Sequence, residues 1–298
     1  MVSYWRYRKY YGIIMNMRKY KKQICMMLLL FVTLLLTSCT SVDKGQTEPT
    51  EMSDTGSEIV EIEAVKIEPN RIAVIDTGFS TKAIPEENII EGKNYLNPEA
   101  STEDTFGHGT AVASIILQTD PDAELVPLVD SAYEDGKLTQ VEVDVLAKII
   151  RDAVEVYGCQ VINLSAGLQK DEVDVQSAVQ YAQKCGALIV ASAGNDYLEQ
   201  GEMKYYPAAY ESVFAVGALN ADGTAVADFS QRGDWVNGYE IGEQVFFLAL
   251  SGAEKEGDGT SYAAAKVSAQ AAVLWKEHPE CTVEQVFQTL CDSLKASE

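Results

Sequence analysis

Residues 161–195 read VINLSAGLQKDEVDVQSAVQYAQKCGALIVASAGN, and the pattern in this stretch decides the fold. The run at 161–164 is short and largely apolar, as a buried strand requires. Residues 172–185 change to an amphipathic helical stretch, and 187–191 return to an apolar run. A strand, a helix and a second strand in succession predict two parallel neighbours, because a parallel pair needs a crossover between its members. The same alternation extends outward. Apolar runs at 72–75, 125–129 and 213–216 are further candidate strands, and 110–117 and 139–157 are further candidate helices. The pattern predicts an α/β fold in three layers, with a mostly parallel central sheet flanked by helices. There is no internal repeat, and residues 71–294 suffice for one large core.

The 298 residues carry 23 Lys and Arg against 45 Asp and Glu, a formal net charge of −22, with 47% hydrophobic and 23% charged residues. That composition excludes collagen-like and wholly disordered chains. The charge is unevenly spread. Residues 1–38 hold Arg6, Arg8, Lys9, Arg18, Lys19, Lys21 and Lys22 and no acid, so the remainder is more acidic than the total implies. Nucleic-acid phosphate is bound through Lys and Arg, so this acidic chain excludes a nucleic-acid partner.

The N-terminal segment reads as an address. Arg18-Lys19-Tyr20-Lys21-Lys22 precedes an apolar run at 24–36 that is short of the ~20 residues a bilayer span needs. Residues 1–38 are therefore expected to be a secretory signal peptide, with Met15 and Met17 as alternative starts. Leu36-Thr37-Ser38-Cys39 resembles a bacterial lipobox. It implies that Cys39 becomes the lipidated N-terminus of an exported lipoprotein, held at the outer face of a cell membrane or at an outer membrane. Residues 39–70 are acidic and rich in Thr, Glu and Ser, which predicts a disordered tether with a mean reach of about 30 Å. Residues 71–298 are left as the folded domain.

Residues able to do chemistry lie in short Gly-bounded motifs. His108 sits in Phe106-Gly107-His108-Gly109-Thr110, between two glycines at the start of a helical run, where an imidazole gains little from packing. The other histidine, His278, precedes Pro279 and reads as a solvated helix end. Asp76 closes the strand 72–75 and is followed by Thr77-Gly78. A carboxylate at the C-terminal end of a parallel strand stands where open α/β sheets place their sites, and a turn cap is its plain alternative. Ser261, in Gly259-Thr260-Ser261, opens an Ala-rich helical segment and would on its own read as an N-cap.

Taken together, Asp76-Thr77-Gly78, Gly107-His108-Gly109-Thr110 and Gly259-Thr260-Ser261 resemble the three signatures of the subtilisin-like serine proteases, the peptidase S8 or subtilase family, in that family's order. The resemblance implies a subtilisin-like fold and a serine endopeptidase, with Ser261 as nucleophile, His108 as general base and Asp76 as the carboxylate that orients it. Val190-Ala191-Ser192-Ala193-Gly194-Asn195-Asp196 is similar to the family stretch that ends in an oxyanion-hole amide, which implies that role for Asn195. Ile162-Asn163-Leu164-Ser165-Ala166-Gly167 is similar to the strand that pairs with the substrate backbone. Ser165, Ala166, Gly167, Ser192, Ala193 and Gly194 are accordingly expected to bind substrate, with Tyr205-Tyr206-Pro207 helping to shape the pocket for the residue preceding the cut. A serine hydroxyl is a weak nucleophile near neutral pH, so the adjacent base matters by roughly 10²- to 10⁴-fold.

The implied partner is a peptide or protein substrate, met by a monomer, and the chemistry needs no cofactor. The family's structural calcium sites have no residue-by-residue match here. A zinc site lacks both a C-x-x-C and enough histidines. Three departures from the family stand out: Tyr262-Ala263-Ala264-Ala265 replaces Met-Ala-x-Pro, Glu240-Ile241-Gly242 replaces Ala-Pro-Gly, and the segment after Cys39 is too short for a folded prodomain. A catalytically silent subtilase-fold binding module on the cell surface remains the alternative. An esterase of the α/β-hydrolase type would need Gly-x-Ser-x-Gly, which is absent, and a thiol protease would need a Cys at a glycine-framed helix start like that of Ser261, a place no Cys occupies. Cys159 and Cys185 each stand two residues before successive candidate strands, which predicts that they approach within bridging distance. Cys281 and Cys291, ten residues apart on one candidate helix, are too far apart to pair.

Overall fold

The computed structural model describes residues 65–134 and 136–294. The expected signal peptide, Cys39 and most of the tether lie outside the described residues. Strand β1 (Glu68–Asp76) starts before the boundary that composition suggests at residue 71. Asn70 takes φ 64° and opens a bulge, so that Ile72 pairs with Val161 while Glu68 pairs with Cys159. Ahead of the bulge the Glu68 N–H donates to the Gly158 carbonyl at 2.8 Å, and Val65 and Ile67 pack on the core. Residues 65–70 thus pack with the domain, where composition alone puts a tether.

The chain continues through β2 (Lys93–Asn94), α1 (His108–Thr119), β3 (Glu124–Val129), the hairpin β4 (Ser131–Glu134) and β5 (Lys137–Gln140), and α2 (Val143–Glu155). Next come β6 (Cys159–Leu164), α3 (Val173–Lys184), β7 (Leu188–Ser192), the one-turn α4 (Tyr197–Gln200), β8 (Val213–Leu219) and β9 (Gly238–Ile241). A second hairpin, β10 (Val245–Leu248) and β11 (Glu254–Gly257), leads into α5 (Thr260–Glu277) and α6 (Val283–Ser293). The helix expected over 139–157 is shorter than its pattern suggests, because residues 131–140 form the first hairpin and β5 is exposed at every position.

Seven strands form one sheet in the order β2-β3-β1-β6-β7-β8-β9, with every pair parallel. Successive side chains of a strand point to opposite faces, and β1 shows the three layers that result. Ile72 and Val74 join the core made with α1, α5 and α6, while Ala73 and Ile75 join the one made with α2 and α3. Both faces are covered, which is why the central strands read as apolar runs without alternation. Helix α5 is buried around most of its circumference. Ala263, Ala264, Ala265, Ala269, Ala271 and Ala272 have no exposed surface, and their small side chains let its backbone approach the sheet closely. Helix α6 opens with the capping box that Thr282 and Gln285 spell out, each side chain bonding the other's backbone N–H.

From β3 the chain returns across β1 to β6. The loops after β1 and β6 therefore leave the sheet toward opposite faces, to α1 and α3, and open a crevice at the carboxyl ends of the strands. Asp76 is the last residue of β1, at this switch point. Away from it, Cys159 and Cys185 are free thiols, so the bridge expected between them is not formed. Cys159 is wholly buried, and burial pushes its thiol well above the usual range.

Candidate active site

The turn after β1 and the start of α1 lock together through their backbones. Gly109 lies so close to the β1 turn that a Cβ there would stand 2.3 Å from the Gly78 carbonyl oxygen, and its N–H donates to Thr77 Oγ1 at 2.9 Å. Gly78 itself takes φ 104°, a left-handed conformation that glycine adopts without strain. These contacts bring the first residue of α1, His108, beside the last residue of β1. His108 Nδ1 lies 2.8 Å from Asp76 Oδ1 and 2.9 Å from Oδ2, and Asp76 Oδ1 also accepts the Thr77 N–H at 2.8 Å. Asp76 is buried, whereas 29% of the His108 side chain remains exposed, so the imidazole is anchored at one nitrogen and open at its other edge.

Two carboxylates near this pair were not marked by any motif. Asp104 Oδ1 accepts the N–H groups of Phe106 and Gly107 at 2.9 and 2.8 Å. Its Oδ2 accepts from the Thr110 N–H and hydroxyl at 2.9 and 2.7 Å, so Asp104 shapes the turn that presents His108. An Asp four residues before the helix was its one sequence signal. Asp130 directly follows β3, beside Asp76 at the end of β1; its N–H donates to the Asp76 carbonyl at 3.1 Å and its Oδ1 is buried without a partner. Burial, then the neighbouring Asp76 charge, push the Asp130 carboxyl up to about 7. Burial by itself would lower the pKa of His108. The charge and hydrogen bond of Asp76, reinforced by Asp104 and Asp130, outweigh that and raise it.

Ser261 is the second residue of α5 and is buried at 6% exposure. Its neighbour Tyr262 faces His108, with ring centroids 6.1 Å apart and planes inclined by 25°, and Phe247 backs Tyr262 at 5.2 Å. The start of α5 is thereby held against the imidazole, and nothing in the sequence marked Tyr262 for that contact. Asn195, three residues beyond β7, is tied to the same helix start: its Oδ1 accepts the Thr260 N–H at 2.8 Å and the Thr260 hydroxyl at 2.9 Å. Thr260 has no exposed surface, and its hydroxyl also accepts the Gly194 N–H at 3.2 Å. With Oδ1 committed to a donor, the Asn195 amide end is Nδ2, which is free to donate elsewhere. The Ser261 N–H is among the first donors of α5, which have no intrahelical partner.

The two Ser-Ala-Gly segments differ in what their backbones do. Ala193 and Gly194 are consumed by the fold: the Ala193 N–H donates to Val216, and the Gly194 carbonyl accepts from Gln231. Among the described residues, Ala166 and Gly167 make no backbone hydrogen bond, which leaves an open edge next to the crevice. Tyr205 and Tyr206 flank that edge, with Leu168 and Tyr206 exchanging two backbone bonds. Among the described residues, no three His, Cys, Asp or Glu side chains converge as a metal cage.

Residues 70–298 match the family described as Subtilase family, Peptidase_S8. Mycosin-4 of Mycobacterium tuberculosis is 32% identical over 270 residues, an alignment covering 74% of this chain and 58% of the mycosin. The major intracellular serine protease of Bacillus subtilis is 31% identical over 220 residues, covering 68% of this chain and 67% of that protein. This chain therefore spans well under two thirds of the mycosin's length. Among solved structures, Sphericase superposes with a TM-score of 0.64 at 29% identity, covering 78% of this chain and 86% of Sphericase.

Proposed function

Because this chain belongs to the subtilase family, we propose that it is a serine endopeptidase that cuts peptide bonds with Ser261, His108 and Asp76, aided by Asn195. The observation that carries the reading is the contact of His108 Nδ1 with both carboxylate oxygens of the buried Asp76. An Nδ1–H donated to that carboxylate fixes the tautomer, so that Nε2 holds the lone pair and faces away from Asp76. Nε2 takes the Ser261 proton as Oγ attacks the scissile carbonyl, and Asp76 stabilises the imidazolium that forms. The same proton then passes to the departing amine, leaving an acyl-enzyme that water hydrolyses by the reverse sequence.

The negative charge that develops on the carbonyl oxygen is met by Asn195 Nδ2 and the Ser261 N–H, at the positive end of α5. Ala166 and Gly167 supply unsatisfied backbone groups with which an extended substrate can pair as an added strand. The protein works as a monomer, exported and anchored through Cys39 on its acidic tether. Palmitate should label the wild type and not Cys39→Ser. The catalytic reading is tested by peptide hydrolysis: Ser261→Ala and His108→Ala each abolish turnover, and the double variant loses little more than either, because the groups act as one unit. Independent, multiplicative losses would reject the assignment.

A further inference from the structure

β6 and β7 are parallel neighbours in register, Leu164 opposite Ala191, and each runs on into a Ser-Ala-Gly segment, at 165–167 and 192–194. Two glycines at adjacent strand ends, Gly167 and Gly194, bound a slot to which they contribute no side chain. Tyr205 fills it. A Cβ at Gly167 would stand 3.1 Å from Tyr205 Cβ and 3.5 Å from its Cγ and Cδ1. A Cβ at Gly194 would stand 2.9 Å from Cδ2 and 3.1 Å from Cε2. Opposite edges of one ring therefore touch the two glycines, and the ring spans the slot from wall to wall.

The ring is held at both ends. At the backbone, Tyr206 N–H donates to the Leu168 carbonyl at 2.8 Å and Leu168 N–H to the Tyr206 carbonyl at 2.7 Å, directly beside Gly167. At the far end the Tyr205 hydroxyl donates to the Asp196 carboxylate, whose Oδ1 also accepts from Gln231 Nε2 at 3.0 Å. Gln231 has no exposed surface, so the half-buried Asp196 is itself tied to a core residue. Swinging the ring out would break the bond to Asp196.

Asn195 follows Gly194 directly, so the substrate residue whose carbonyl oxygen meets Asn195 Nδ2 lays its side chain beside Gly194. That residue precedes the scissile bond. We propose that Tyr205 determines specificity by closing the slot between Gly167 and Gly194, so that cleavage follows Gly, Ala or Ser and rejects Leu, Phe, Lys and Arg, a selectivity that rests on the serine-endopeptidase reading above. Apolar sites discriminate by roughly 10- to 200-fold per methylene, so Ala is favoured over Phe by more than about 100-fold.

The test is a peptide series that differs only at the residue before the cut, with kcat/KM measured for the full chain, Tyr205→Gly and Tyr205→Ala. Wild type should favour Ala over Phe by more than about 100-fold, and opening the slot should shift the Phe-to-Ala ratio by at least about tenfold toward Phe. The inference is overturned by a wild type that cleaves after Phe or Leu as readily as after Ala, or by active variants whose ratio does not move. Should neither variant fold, the wild-type ratio alone decides. A fluorophosphonate control separates the two readings: a wild type labelled at Ser261 that prefers large residues sinks only the role of Tyr205, whereas an unlabelled, inactive wild type sinks the endopeptidase reading itself.

Discussion

Asn195 is bound at one end to the start of α5, and under the proposed mechanism its other end meets the substrate, so the two roles can be separated by substitution. Asn195→Ala removes the Nδ2 donor and also the acceptor for two bonds of 2.8 and 2.9 Å from Thr260, whose backbone N–H is then buried without a partner. Loss of an oxyanion donor costs about 10²- to 10³-fold in kcat. An orphaned buried donor costs about 1–3 kcal/mol, or a fall in Tm of roughly 2–12 °C for a domain of this size. Asn195→Asp keeps an oxygen for both Thr260 donors and adds a negative charge at a helix N-terminus, so it should hold the wild-type Tm within about 2 °C. Its second oxygen repels the developing oxyanion, so kcat should fall at least about 10³-fold. The assay pairs kcat on a peptide ester with thermal unfolding of the same preparations. An Asn195→Asp enzyme with near-wild-type kcat, or an Asn195→Ala enzyme with unchanged Tm, would refute the two-ended role.

Gly109→Ala places a Cβ where the nearest backbone oxygen is 2.3 Å away, forcing the His108 turn off the β1 turn by about 1 Å; a displacement of that size should lower kcat/KM by ~10²-fold. A Gly109→Ala enzyme as fast as wild type would contradict the docking. Asp130→Asn removes a charge that helps to raise the His108 pKa, so the acid limb of the kcat/KM profile should move to lower pH, and a limb moving the other way would oppose that coupling. Because the Asp130 carboxyl is raised from 3.8 to about 7, its contribution to stability is present below pH 4 and lost as pH rises through 7. The stability of Asp130→Asn relative to wild type should therefore be greater at pH 8 than at pH 4, as read from Tm at the two values. Cys159 should resist alkylation in the native protein and react on unfolding, and rapid native labelling would contradict its burial.

The parts of the fold legible in the sequence are those where burial leaves a repeating mark. β1, β3, β6, β7 and β8 are covered on both faces, and their apolar runs stand out against the helices between them. The edge strands carry no such mark. β2 has two residues, β9 is half exposed, and β5 is exposed throughout, so the start of the helix pattern at 139 ran across a hairpin. The early start of β1 depends on the left-handed Asn70 and its bulge, a conformation that the run Glu68-Pro69-Asn70 does not announce.

Of the proposed reacting groups, Asp76 and His108 were legible because their turns need glycine, Gly78 at φ 104° and Gly107 at φ 110°, and glycine is visible in sequence. Gly259 before Ser261 is extended with room beside it for a Cβ, so Ser261 was legible only through its resemblance to the family motif. Asp104 acts locally on the turn before α1, where its position four residues ahead of the helix was the one signal, whereas Asp130 and Tyr262 act across tertiary contacts, on a carboxylate and an imidazole distant in the chain. Tyr205 belongs to the same class. Its place beside Tyr206-Pro207 pointed to the pocket, but only the contacts with Gly167 and Gly194 show that the ring fills the slot between them.

The central claim is that Ser261 is made nucleophilic by His108 and Asp76. Reaction of the full chain with a fluorophosphonate, followed by peptide mapping, tests it most directly, because the reagent modifies an activated serine far faster than an ordinary one. One adduct, on Ser261, is expected in the wild type and none in a folded His108→Ala. No adduct on the folded wild type, an adduct on a different serine, or equal labelling without His108 would contradict it.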